Sequence, residues 1–124
     1  MVIDYGEPVT TKGLNMLYGP GNDLVSATAL TAAGAHMVLF STGRGTPFGA
    51  PAPTLKIATN SQLAARKKTW IDFNAGVVAD GERTLDEAGA DLYRLVLDVA
   101  SGKQTCAEKK GFREISIFKD GVVL

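Results

Sequence analysis

The chain has 124 residues, close to the size of one hydrophobic core, so one compact domain is expected. Thirteen basic and thirteen acidic residues cancel, and composition gives no electrostatic case for nucleic acid or an anionic membrane as the main partner. Cys106 is the only cysteine, which excludes an internal disulfide and suits a reducing compartment, while its polar surroundings speak against a nucleophilic role.

In chain order, Val2 to Thr11 reads as a short extended arm and Leu14 to Leu17 as a short strand or the lead into a loop. Gly19-Pro20-Gly21-Asn22-Asp23 then reads as a helix start, with Asn22 or Asp23 as N-cap. Leu24 to Ala33 follows as an alanine- and threonine-rich helix stopped by Gly34. His36 to Ser41 reads as a buried strand, Ala50-Pro51-Ala52-Pro53 as a short rigid connector and Thr54 to Thr59 as a second strand. Asn60 or Ser61 caps a short helix running to about Lys68. Trp70 to Val78, rich in aromatic and β-branched residues, reads as extended with a glycine bend. Thr84 and Glu87 have the capping-box spacing, and Leu85, Ala88, Leu92, Leu95, Val96 and Val99 form a helical apolar stripe that ends at Gly102. Arg113 to Phe118 reads as a last strand and Asp120-Gly121 as a turn. Helices alternating with apolar strands predict an α/β fold, a single layered domain whose mainly parallel sheet is flanked by helices. No apolar run approaches membrane-spanning length, and no N-terminal segment has the charged start and apolar core of a signal peptide, so a cytoplasmic location is expected.

Charge is unevenly divided. Residues 1–60 carry only Lys12, Arg44 and Lys56 as cations and Asp4, Glu7 and Asp23 as anions, in a background of Gly, Thr, Ala and Pro. Arg44 therefore stands out, in a glycine-paced loop that interrupts a hydrophobic run: Phe40-Ser41-Thr42-Gly43-Arg44-Gly45-Thr46-Pro47-Phe48-Gly49. Its guanidinium offers a planar fork to a carboxylate, Ser41, Thr42 and Thr46 supply hydroxyls, and Gly43 and Gly45 leave backbone bare. That mixture suits a sugar acid; a plain turn with a solvated arginine has the same composition. Asn60, Asp72 and Asn74 sit where strands end or bend and could reach the same crevice to bind hydroxyls, or serve as turn and capping residues. Asn22, at the first helix start, is a further candidate, since backbone N–H groups there suit a carboxylate or phosphate. The glycines around it match only part of a dinucleotide fingerprint, and Asp23 is badly placed for a pyrophosphate. His36, the single histidine, reads as structural. Without a second histidine or a cysteine cluster the chain lacks a typical nitrogen- and sulfur-rich metal site, so no metal ligand and no catalytic base is assigned within it.

Three strings resemble the C-terminal region of the altronate and galactarate dehydratase family. They are Lys12-Gly13-Leu14-Asn15 with Gly19 to Ser26, Val38 to Gly49, and Trp70-Ile71-Asp72-Phe73-Asn74-Ala75-Gly76, extended by Val99 to Lys103 and Arg113-Glu114-Ile115. The Trp70 to Asn74 string is closer to the altronate branch. The resemblance implies a hydro-lyase that dehydrates altronate to 2-dehydro-3-deoxygluconate in hexuronate catabolism, supported by a divalent metal, iron or manganese. Arg44 would clamp the substrate carboxylate as an enediolate forms, with Thr42 and Thr46 orienting hydroxyls. Enzymes of this family are several times longer, so the metal ligands and the base are expected in other domains, and the isolated chain is expected to be inactive. Alternatives are a noncatalytic sugar-acid-binding or subunit-assembly domain, and the same domain of a galactarate or sulfolactate lyase. Association of copies is left open.

Overall fold

The computed structural model describes residues 1–117. The elements are β1 (Val2–Ile3), β2 (Met16–Leu17), α1 (Asp23–Ala32), β3 (Val38–Thr42), β4 (Thr54–Ala58), α2 (Ser61–Arg66), β5 (Phe73–Asn74), α3 (Gly76–Ala79), α4 (Leu85–Ala100) and α5 (Cys106–Lys109). The fold is mixed α/β, and each strand pairing among the described residues is parallel. The strands divide into two small sheets, β1–β2 and β3–β4–β5.

β4 is the central strand of the larger sheet, with Val38 opposite Thr54, Phe40 opposite Lys56 and Ile57 opposite Phe73. Thr54, Leu55, Lys56 and Ala58 are buried, as a strand covered on both faces requires. On one side Ala27 of α1 packs with Val38, Phe48 and Ala50, joined by Leu24 and Phe40. The small side chains of α1 allow that close approach. Toward the carboxyl end of β4, Ala58, Leu63 of α2 and Ile71 form a second cluster. These clusters fix the carboxyl ends of β3 and β4, where the functional loops emerge.

The capping residues behave as their chemistry dictates. The Asn22 side chain accepts from Val25 N at 3.1 Å and Asn60 from Leu63 N at 2.8 Å, each relieving a helix end of an orphan donor. Thr84 and Glu87 close the predicted capping box, and α4 ends before Gly102 at φ +109°. Its stripe is only partly covered: Ala88 and Val99 are buried, Leu92, Leu95 and Val96 half-buried, and Leu85 exposed.

Several expectations need correction. The N-terminal arm is strand only at Val2–Ile3, and the next strand is confined to Met16–Leu17. The expected extended segment through Val78 stops at Asn74, because the Asn74 side chain accepts from Gly76 N at 2.9 Å and turns the chain into α3. Residues 113–117 form no strand. Their backbone is used elsewhere: Glu114 N donates to Gly49 O at 2.7 Å and Ser116 N to Thr28 Oγ1 at 3.1 Å. Phe118 and the Asp120-Gly121 turn lie outside the described residues. α5 was not anticipated, although Thr105 and Glu108 repeat the capping-box spacing. No helix among the described residues is long and apolar enough to cross a membrane.

Candidate functional site

The loops after β3 and β4 emerge side by side at the carboxyl ends of neighbouring parallel strands, where α/β sheets present ligands. The first turns sharply because Thr42 Oγ1 accepts from Gly45 N at 2.9 Å. Gly45 has φ +86°, which favours glycine, and a Cβ there would crowd the side chains of Lys67 and Leu63, 3.1 Å from Lys67 Cδ and 3.2 Å from Leu63 Cδ1. The second loop is tied to the first, with Thr59 N donating to Thr42 O at 3.0 Å and Asn60 Nδ2 to Gly43 O at 3.1 Å. Lys67 Nζ donates to the Arg44 carbonyl at 3.2 Å and lies over the Trp70 ring.

Between these loops and α2 lies a cleft of about 300 Å³ lined by Gly43, Arg44, Asn60, Gln62, Leu63 and Arg66. Two arginines thus line one concave surface. Neither has an ion-pair partner among the described residues. Gln62 and Arg66, four apart on α2, stand on one helix face. The lining has fixed positive charge, amide groups and bare backbone, and no carboxylate, imidazole or amine.

Of the residues singled out from sequence, the structure brings Gly43, Arg44 and Asn60 together in the cleft. Ser41 is exposed on β3, and the Thr42 hydroxyl and Gly45 are engaged with each other in the turn. The Thr46 carbonyl accepts from Phe48 N at 3.0 Å and from Lys56 Nζ. Asn22 caps α1, while Asn74 donates to Ser61 Oγ at 3.0 Å and accepts from Gly76 N. Asp72 accepts from two backbone donors, Lys56 N and Cys106 N, each at 2.8 Å. His36 is exposed just before β3. Gln62 and Arg66 were not singled out, although Asn60 as cap and the four-residue spacing of the pair were available signals. Among the described residues no three His, Cys, Asp or Glu side chains converge to hold a metal ion.

Lys56 is only 2 % exposed. Its ammonium donates to the Thr46 carbonyl and lies 5.2 Å from the centre of the Phe48 ring. Burial lowers its pKa from 10.5, against the opposing charges of Asp72 and Glu114. The unfolded chain therefore holds a proton that the folded chain has released between that lowered value and 10.5. Stability contributed by Lys56 consequently rises with pH through this window, and the penalty is fully present below it. Urea unfolding followed from neutral pH to about pH 10 is expected to show this rise, measured as the difference from a Lys56→Met chain that lacks it. An identical pH dependence in both chains would refute it.

A second cavity, of about 390 Å³, is lined by Lys68, Thr69, Cys106, Lys109 and Lys110. Burial, and then the charge and hydrogen bond of Asp72, push the Cys106 thiol up from its ordinary value, which disfavours the nucleophilic thiolate.

The family model described as D-galactarate/Altronate dehydratase, C-terminal, matches residues 1–123. The chain belongs to this family. It is 54 % identical over 123 residues to the altronate dehydratase of Escherichia coli (strain K12), covering 99 % of this chain and 25 % of that protein. Identity to the altronate dehydratase of Bacillus subtilis (strain 168) is 49 % over 123 residues, with the same coverage. The galactarate dehydratase (L-threo-forming) of Escherichia coli (strain K12) is 39 % identical over 125 residues, covering 98 % of this chain and 24 % of that protein. The chain thus spans about a quarter of the length of these relatives.

Proposed function

We propose that this chain serves as one wall of the active site of a cytoplasmic hydro-lyase that dehydrates altronate to its 2-dehydro-3-deoxy acid. The higher identity to two altronate dehydratases than to the galactarate enzyme favours altronate as the substrate. The observation that carries the reading is the cleft that combines Arg44 and Arg66 with the amides of Asn60 and Gln62. A sugar acid presents one carboxylate and several hydroxyls, which such a surface matches with charge-assisted and neutral hydrogen bonds. Dehydration of a hydroxy acid begins with removal of the proton beside the carboxylate. Negative charge then builds on that carboxylate as an enediolate forms, and loss of the neighbouring hydroxyl completes the reaction. A guanidinium fork held on the carboxylate stabilises the enediolate more than the ground state.

The lining itself has no group that accepts a proton near neutral pH, so abstraction falls to residues from the rest of a longer enzyme. The divalent metal implied by the family, iron or manganese, is likewise assigned to ligands outside this chain. The expected result is that the purified 124-residue chain binds altronate in calorimetry yet gives no dehydration product with iron or manganese present. Turnover comparable to that of a longer dehydratase would overturn the division of labour, and absence of binding would overturn the assignment of the cleft.

A further inference from the structure

Lysine is an expensive residue to bury, because its ammonium loses its hydration shell. Lys56 nevertheless sits on the central strand β4, between Leu55 and Ile57, with its ammonium in the interior. Phe40 is its partner on the adjacent strand, and the Phe40 and Phe48 rings meet edge to face with centroids 5.1 Å apart. The ammonium reaches the underside of the loop after β3 and donates to the carbonyl of Thr46, two residues beyond Arg44. Three positions after Thr46 the same loop is latched a second time. Gly49 N donates to Glu114 Oε2 at 2.8 Å, and Glu114 N returns a bond to Gly49 O at 2.7 Å. The cleft side of the loop is held by Asn60 on Gly43 O and Lys67 on Arg44 O, and its far side is bolted to the core through one buried cation and one carboxylate.

Fold stability gives little reason for the lysine. A methionine has similar length, needs no desolvation of charge and would fill the same channel beside Phe40 and Phe48. The nearby carboxylates already have backbone donors: Asp72 holds Lys56 N and Cys106 N, and Glu114 holds Gly49 N. What methionine cannot supply is a donor to the Thr46 carbonyl. The geometry points to Lys56 as a positioning residue, a buried cation that fixes the loop from Gly43 to Gly49 so that the Arg44 guanidinium is held ready at the mouth of the cleft. This rests on the reading of that cleft as a carboxylate site. Lys56 acts through the loop backbone and touches no ligand itself. Preorganisation of this kind raises affinity by removing the cost of ordering the loop on binding.

The test uses Lys56→Met in the 124-residue chain, with amide hydrogen exchange and altronate calorimetry as readouts, and Arg44→Ala beside it. In Lys56→Met the thermal midpoint is expected to be no lower than in the unsubstituted chain. The amides of Phe48 and Gly49 are expected to exchange about tenfold faster, while those of Leu55 and Ile57 in the sheet keep their protection. Altronate affinity is expected to fall about tenfold, the cost of ordering a loosened loop. Unchanged exchange in the loop overturns the proposal, as does a variant that fails to fold or loses protection throughout the sheet, since Lys56 would then be a general support. A loosened loop with unaltered altronate affinity, alongside a loss of binding in Arg44→Ala, overturns the link between loop order and the cleft. If Arg44→Ala leaves binding intact, the carboxylate reading fails instead, and loop positioning is still decided by the exchange data.

Discussion

Arg44→Ala, made in a longer dehydratase that carries this domain, is expected to lower kcat/KM for altronate by about a hundredfold or more. Arg44 projects from a loop fixed on both sides, by Asn60 on Gly43 O and by Lys67 on its own carbonyl, so its side chain starts from a defined backbone position. Truncation removes a planar double donor from the point where charge develops, and water entering the cleft replaces it poorly. The fork holds the carboxylate in the ground state and more tightly as the enediolate forms, so its loss weakens altronate binding, raising KM, and lowers kcat as well. Arg44→Lys keeps the charge and loses the fork, so its activity is expected between the two. Steady-state kinetics on altronate, with sedimentation to monitor assembly, checks this. Unchanged kcat/KM would remove Arg44 from the chemistry, and altered assembly with intact turnover would favour a subunit-contact role for the loop.

The parts of this fold that were legible in the sequence are those governed by local chemistry. Asn22, Asn60 and the Thr84–Glu87 pair mark helix starts because a short polar side chain satisfies an orphan N–H wherever it lies in the chain. The glycine loop was legible because a hydrophobic strand ended in residues that cannot continue it. Thr105–Glu108 carried the same capping signal as Thr84–Glu87, but only four helical residues follow, too few to display a periodic apolar face. The segment around Gly76 was misread because Val77 and Val78 favour strands in isolation, whereas here tertiary packing decides. Residues 113–117 alternate like a strand, yet Ile115 and Ile117 both face outward and the backbone pairs with Gly49.

The cleft was half legible for a related reason. Arg44 stood out as one of only three cations in the first sixty residues and the only one in the glycine loop, while Arg66 was hidden in a run with Lys67 and Lys68 that resembles an ordinary solvated helix end. Lys56 appeared as the polar position of an alternating strand. Its burial follows from β4 being central in a parallel sheet covered on both faces, which depends on topology that no local pattern records.

Gly76→Ala is expected to damage the fold severely for so small a substitution, costing about 3 kcal/mol and lowering the thermal midpoint by roughly 10 °C. A Cβ at this position would stand 2.3 Å from Ser61 N, 2.6 Å from Asn60 C and 2.7 Å from Asn60 Cα. All three atoms belong to backbone, so no side chain can swing aside to make room. The contact lies at the start of α2, where Asn60 caps the helix through Leu63 N and holds the Gly43 carbonyl, and where Asn74 reaches Ser61 Oγ. Displacing this junction strains the cap, the tie between the two loops and the floor of the cleft together. The loss in altronate affinity should therefore exceed that produced by Gly81→Ala, where a Cβ meets nothing within 4 Å and the cost is only that of its φ of +74°. Calorimetric unfolding and altronate titration of the two variants decide the matter. A Gly76→Ala chain as stable as the parent would mean that the starts of α3 and α2 do not pack as closely as described.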